Sequence, residues 1–212
     1  MDKSKEKVSK RYDSWTPFYD IVDSFPLISR PQRKWKKKAV EYLDLSDGEK
    51  VLDVGTGTGQ ILPWIAEQMS EGELIATDIS ESMIEYARKR VDDQSDVEIS
   101  VIKDDIENSR FPDDSFDKVI TTFTLTTVPN FEKAATECAR ILDPEGFIIV
   151  LDTGRPENLY GLPIFYPMMF SAKIFGRTHM DRDIKSALSD HFDIELLEEN
   201  LLGMVYTLKC RI

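Results

Sequence analysis

One ten-residue stretch, Val51-Leu52-Asp53-Val54-Gly55-Thr56-Gly57-Thr58-Gly59-Gln60, constrains the fold more than any other part of this chain. A short apolar run that breaks into glycines and then into helical spacing, from Ile61 to Met69, reads as strand, turn and helix. The glycines let the backbone approach a ligand closely and supply dihedrals that other residues avoid. Asp78 follows Gly59 by 19 residues, at the end of the next apolar run, Leu74-Ile75-Ala76-Thr77. An acid there can accept hydrogen bonds from two ribose hydroxyls. Loop, acid and strand order together imply a nucleoside-bearing cofactor rather than a plain connecting turn.

The spacing narrows the choice. The dinucleotide fingerprint Gly-x-Gly-x-x-Gly seats a pyrophosphate at a helix N-terminus. Here the pattern is Gly-x-Gly-x-Gly, and Asp53 precedes it. A carboxylate so close repels a pyrophosphate and suits a ligand with an ammonium group. That favours S-adenosylmethionine over NAD. An NAD-type dinucleotide oxidoreductase is the alternative, although the chain has no Tyr-x-x-x-Lys pair. A non-catalytic binding module on the same fold has no need of the glycines or Asp78.

Beyond the loop, strand and helix patterns alternate. Pro31 opens a helix through Trp35, Ala39, Val40 and Leu43, closed by Ser46-Asp47-Gly48. Ser80 caps an amphipathic helix containing Met83, Ile84 and Ala87. Val97–Ile102, Phe116–Thr121 and Phe147–Leu151 read as strands, and Phe131–Leu142 as a helix stopped by Asp143-Pro144-Glu145-Gly146. After a helix at Asp181–Leu188, two strand-like runs, Phe192–Leu197 and Met204–Cys210, lie too close in sequence to be parallel. The expected fold is therefore α/β: a Rossmann-like seven-stranded sheet, mostly parallel with one antiparallel strand, and helices on both faces.

Charge and cysteines exclude other classes. The chain of 212 residues has 27 Lys/Arg and 39 Asp/Glu, and this net −12 disfavours nucleic acid as a partner. Residues 1–50 hold 12 basic and 9 acidic residues, so the acidity lies in the remainder. Two cysteines, Cys138 and Cys210, build no disulfide scaffold, and two histidines build no His-rich metal site, so no metal is expected. The first ten residues lack the apolar core of a signal peptide, and Leu162–Phe170, broken by two prolines, cannot span a bilayer. A cytoplasmic location follows, with at most peripheral membrane contact, as a monomer or homodimer.

Val51–Gln60, Ala76–Ser80 with Met83, Val101–Asp117 and Phe116–Asn130 resemble the motifs of class I S-adenosylmethionine-dependent methyltransferases. Within that superfamily the chain is most similar to the ubiquinone/menaquinone-biosynthesis group. Arg11-Tyr12-Asp13 and Phe18-Tyr19-Asp20 resemble the group's N-terminal lid, and Leu202-Gly203-Met204-Val205 its final hairpin. Asp152, Pro156, Tyr160 and Pro163 resemble the segment after the fifth strand. The resemblance implies a helical lid over residues 1–45, a cofactor domain over 46–212, and an acceptor-site insertion near 155–178.

The same resemblance implies the cofactor site residue by residue. Gly55, Thr56, Gly57 and Gly59, with Gln60, pack on the methionine and ribose parts. Asp53 orients the loop and contacts the amino group, and Asp78 holds the ribose. Ile79 lies beside the adenine, with Met83 near it. Asp105 and the Ile106 backbone meet the adenine, Thr122 lines the floor below the sulfonium, and Tyr19 comes from the lid. Asp104 is the competing acid beside Asp105. The acceptor is a small or lipid-like molecule: a quinone, an amine or a phospholipid head group. Tyr12, Thr126, Tyr160, Phe165 and Tyr166 are its candidate contacts. The quinone C-methyltransferases carry an Arg-Asn pair where this chain has Thr126-Thr127, so the acceptor stays open. Displacement at a sulfonium rests largely on proximity and alignment, and no covalent nucleophile is assigned.

Overall fold

The computed structural model describes residues 26–91, 97–156, 159–171 and 179–212. Its elements, in order, are α1 (Pro26–Glu41), β1 (Lys50–Val54), α2 (Leu62–Ala66), β2 (Glu73–Asp78), α3 (Glu81–Arg88) and β3 (Glu98–Lys103). There follow β4 (Phe116–Thr122), α4 (Phe131–Ile141), β5 (Leu142–Thr153), α5 (Leu162–Ser171), α6 (Ile184–Ser189), β6 (Asp193–Asn200) and β7 (Val205–Arg211). One seven-stranded sheet has the order β3-β2-β1-β4-β5-β7-β6. The first five strands pair in parallel, and β7 runs antiparallel to both β5 and β6. This is the α/β sheet that the alternating sequence pattern implies.

The inner strands are buried on both sides, and the two-residue repeat of a strand splits their side chains between two cores. Val51, Leu74, Ala76, Ile120, Ile149 and Leu151 face the layer made by α1, α2 and α3. Leu52, Val54, Ile75, Val119, Ile148 and Val150 face α4 and α6. Burial of this kind is worth about 1.5–3 kcal/mol per large apolar side chain. It fixes where the carboxyl ends of the strands open. Cys138 and Cys210 lie in the second core, where burial pushes both thiols up to about 12.

Three local expectations change. Helix α1 starts at Pro26, and Pro31 lies inside it. Pro31 removes one helical bond, but the seam of Ala39, Val40 and Leu43 is fully buried against the sheet and holds the helix in place. The second half of α1 is thus core, not part of a lid that ends at residue 45. The segment Asp143–Gly146 lies within β5 rather than separating it from α4. The pairing skips from Phe116↔Leu142 to Lys118↔Phe147, and the Glu145 amide donates to Asp143 Oδ1 at 2.8 Å. The extra residues form an irregularity closed by a side-chain turn. Finally, α2 covers only part of the expected Ile61–Met69 helix.

Candidate active site

The sheet order reverses between β1 and β4, and in open α/β sheets the crevice outside the carboxyl ends at that point is the ligand site. Val54 and Thr122 end the two strands. The glycine loop leaves β1 here with φ of +69° at Gly55, +56° at Gly57 and +74° at Gly59. A Cβ on Gly55 would collide with the Thr124 side chain, and one on Gly59 would come within 2.8 Å of Ala87 Cα. A Cβ on Gly57 would meet nothing within 4 Å. The loop is therefore clamped at both ends and open at its middle.

Asp78 holds that loop. Its Oδ2 accepts from the Gly57 amide and its Oδ1 from the Ser80 amide, each at 2.9 Å. The Thr56 amide donates to the Thr77 carbonyl at 2.8 Å. Ser80 caps α3 by accepting from the Met83 amide, and Met83 is fully buried in the first turn. Ile79 is half-buried beside Asp78.

Asp53 is fully buried at the fourth position of β1, and neither carboxylate oxygen has a hydrogen-bond partner among the described residues. The buried Thr56 hydroxyl also makes no hydrogen bond within 3.5 Å among the described residues, although it is the neighbour that most favours the ionised carboxylate. Burial pushes the Asp53 carboxyl up to about 7. The nearby Thr56 hydroxyl and the Lys36 ammonium pull it back, and Asp78 adds to the rise. A buried polar group without a partner is costly and marks a site awaiting a ligand or ion. Lys36, which sequence reading missed, reaches in from α1. Its Nζ donates to Gln60 Oε1 at 3.1 Å and lies 5.9 Å from the Phe123 ring centroid.

The structure separates Asp104 from Asp105. Asp104 accepts from the Ser109 hydroxyl at 2.8 Å and from Arg110 Nε at 3.1 Å, so it secures its own loop. Asp105, after β3, caps the short turn Ile106–Asn108 through the Glu107 amide at 3.1 Å, and it is only half-buried. Ile106 is half-buried beside it. Buried Glu107 accepts from the Asn130 amide at 2.9 Å and ties this turn to the loop after β4.

That second loop carries a feature with no signal in the sequence. Phe123 has φ of +57°, an uncommon conformation for a bulky residue, and its amide donates to the Leu151 carbonyl at 2.7 Å. The Thr124 hydroxyl lies 3.3 Å from both the Val54 and Gly55 carbonyls and joins β4's exit to the glycine loop. Thr122, the last residue of β4, is buried.

Thr126 and Phe165, expected to contact the acceptor, lie in the interior instead. The Thr126 hydroxyl donates to Asp152 Oδ1 at 2.7 Å, and its amide to Oδ2 at 3.3 Å. Asp152 also accepts from the Thr153 amide, and burial pushes its carboxyl up to about 6. Phe165, on α5, is 1% exposed and packs with Met180 and Met204, because apolar burial turns this side of the helix inward. Its neighbours point outward: Tyr160 is 86% exposed, Tyr166 48% and Phe170 66%. Tyr12 and Tyr19 lie outside the described residues. Among the described residues no group of three or more His, Cys, Asp or Glu is placed to hold a metal ion, and no helix is long and apolar enough to cross a membrane.

The arrangement offers a clamped loop open at Gly57, an unpartnered carboxylate, and a second carboxylate at the end of β2. It suits a ligand that carries both a cationic end and a ribose. Residues 1–179 match the family described as ubiE/COQ5 methyltransferase. A demethylmenaquinone methyltransferase of Listeria welshimeri is 28% identical over 183 residues, which cover 84% of this chain and 77% of that protein. The Bacillus velezensis demethylmenaquinone methyltransferase is 30% identical over 182 residues, covering 83% and 75%. Among solved structures, a Thermotoga maritima methyltransferase described as a possible histamine N-methyltransferase superposes with a TM-score of 0.68. It is 21% identical and covers 93% of this chain and 97% of its own. That likeness is one of fold.

Proposed function

Because the chain belongs to the ubiE/COQ5 methyltransferase family and is an S-adenosylmethionine-dependent methyltransferase, we propose that it methylates a quinone-like, lipid-soluble acceptor of the demethylmenaquinone kind, with the cofactor in the β1/β4 crevice. The observation that carries the cofactor's place is Asp53: a buried carboxylate with both oxygens unpartnered, beside an open Gly57. An ammonium group satisfies that carboxylate and returns it to its ionised form.

Bound there, the sulfonium supplies an activated methyl group for in-line displacement. The protein's part is to bind, orient and exclude water. Asp78 receives the ribose hydroxyls while it keeps the Gly57 and Ser80 amides in register. Ile79, Asp105 and Ile106 line the base, with Asp105 capping the Ile106–Asn108 turn and Asp104 held by Arg110 and Ser109. Thr122 forms the floor, held by the Thr124 bridge and the Phe123 turn.

The acceptor class rests on two supports. One is the name carried by the relatives. The other is the apolar stretch after β5, where Leu159, Tyr160, Ile164, Tyr166 and Phe170 are exposed. Thr153, at the end of β5, pairs with Val205, so exposed Leu201 and Leu202 join that stretch at the carboxyl edge of the sheet. Such a surface suits a prenylated ring better than a polar amine.

The experiment is transfer of label from methyl-labelled S-adenosylmethionine to a prenylated naphthoquinol in detergent micelles. Label in the extracted quinol, with a higher KM in Tyr160→Asp and unchanged S-adenosylhomocysteine affinity, is the expected result. Cofactor binding without label in the quinol, and label in a water-soluble amine instead, would remove the quinone reading.

A further inference from the structure

The amino-acid end of S-adenosylmethionine is a zwitterion, and Asp53 answers only its positive half. We infer that Lys36 binds the negative half: its ammonium receives the α-carboxylate of the cofactor. This rests on the reading that the β1/β4 crevice holds S-adenosylmethionine.

Three observations place Lys36 there. Its Nζ is bonded to Gln60 Oε1 at 3.1 Å, on the residue that ends the glycine loop. It lies 5.9 Å from the ring of Phe123, whose strained backbone marks the exit of β4. Its charge also favours the ionised form of Asp53 at the end of β1. The other described cations of α1 are placed elsewhere. Arg33 stacks on Trp64 at 5.3 Å and Lys38 pairs with Glu41 at 3.6 Å, while Arg30, Lys34 and Lys37 are exposed.

The sequence sets this up. Lys36 sits one helical turn before Val40, and Val40, Ala39 and Leu43 are buried. Residues four apart share a helix face. The buried seam therefore anchors α1 and aims Lys36 over the carboxyl edge of the sheet. Lys36 is half-buried, and its ammonium reaches Gln60 at the end of the glycine loop. A partly buried ammonium meeting a carboxylate forms a charge-assisted hydrogen bond stronger than one in open solvent.

Calorimetric titration of wild type and Lys36→Met with two ligands tests this. S-adenosylhomocysteine keeps the amino-acid end, and 5′-methylthioadenosine lacks it. Methionine replaces the stem but not the charge. The expected result is a loss of about tenfold or more in S-adenosylhomocysteine affinity, the range for a hydrogen bond to a charged group. Methylthioadenosine should bind both proteins within about twofold, because it makes no contact with the ammonium. Lys36→Arg should recover most of the lost affinity. Unchanged or improved S-adenosylhomocysteine binding in Lys36→Met would overturn the inference, since the ammonium would then be idle or a competitor of the ligand's own. Equal losses for both ligands would overturn it too, by making Lys36 a support of the crevice. Failure of the wild type to bind S-adenosylhomocysteine would instead refute the crevice reading on which the inference depends.

Discussion

Replacing Asp53 with asparagine should change how stability depends on pH. The carboxyl is fully buried and its folded pKa is pushed from 3.8 up to about 7. A raised pKa means that the folded state holds a proton the unfolded state has released. The neutral carboxyl's contribution is fully present below pH 3.8 and is lost as pH rises through about 7. Linkage puts the loss at about 2 kcal/mol at pH 5 and about 4 kcal/mol at pH 8. Asparagine cannot ionise, so its own desolvation cost is the same at every pH. The stability of Asp53→Asn minus that of wild type should therefore rise by about 2–3 kcal/mol between pH 5 and pH 8 and flatten above pH 7. Asp152 titrates in both proteins and cancels from the difference. Urea unfolding of the ligand-free proteins, followed by tryptophan fluorescence at pH 5, 6, 7 and 8, measures the difference directly. A difference that is flat or falls with pH would refute the reasoning, because it would mean that Asp53 is solvated or paired.

The glycine loop separates strain from ligand contact. Gly59→Ala places a Cβ 2.8 Å from Ala87 Cα at φ +74° and should cost about 2–4 kcal/mol in urea unfolding. Gly57→Ala meets nothing within 4 Å, so it should cost only about 1–2 kcal/mol of backbone strain and yet weaken S-adenosylhomocysteine in calorimetry, since its methyl enters the crevice. Thr126→Val keeps the shape but removes the 2.7 Å hydrogen bond to Asp152, and should cost about 1–3 kcal/mol. Asp152 titrates near 6 when folded and loses with Thr126 a partner that favours its ionised form. The cost in urea unfolding should therefore be larger at pH 8 than at pH 5.

The sequence carries the parts of this molecule that rest on periodicity and turn chemistry. Neighbouring Val51 and Leu52 enter opposite cores, so a continuous apolar run was enough to imply a strand covered on both sides. Gly55, Gly57, Gly59 and Asp78 were legible because positive φ and a strand-end acid each demand particular residue types. The end of the chain was legible because a short connection forbids parallel pairing. Other features are decided by tertiary neighbours. Asp104 and Asp105 are adjacent acids in the sequence, and only Arg110 and Ser109 tell them apart. Phe165 and Tyr166 are consecutive aromatics, and only the contacts with Met180 and Met204 bury the first and leave the second outside. Pro31 reads as a helix start until the seam of α1 holds the helix through it. Lys36 reads as one more solvated charge in a basic run, and Phe123 offers no composition signal for its left-handed backbone.

The central claim is that S-adenosylmethionine sits in the crevice with its ribose on Asp78. Calorimetric binding of S-adenosylmethionine to wild type, Asp78→Ala and Asp104→Ala, with NAD as competitor, tests it most directly. Two neighbouring acidic sites are compared, and each variant loses hydrogen bonds to its own loop. The account predicts that Asp78→Ala loses affinity by about a hundredfold, as expected when hydrogen bonds to a charged group are removed. It predicts that Asp104→Ala stays close to wild type and that NAD displaces nothing. Equal binding by Asp78→Ala and wild type, or displacement by NAD, would contradict it.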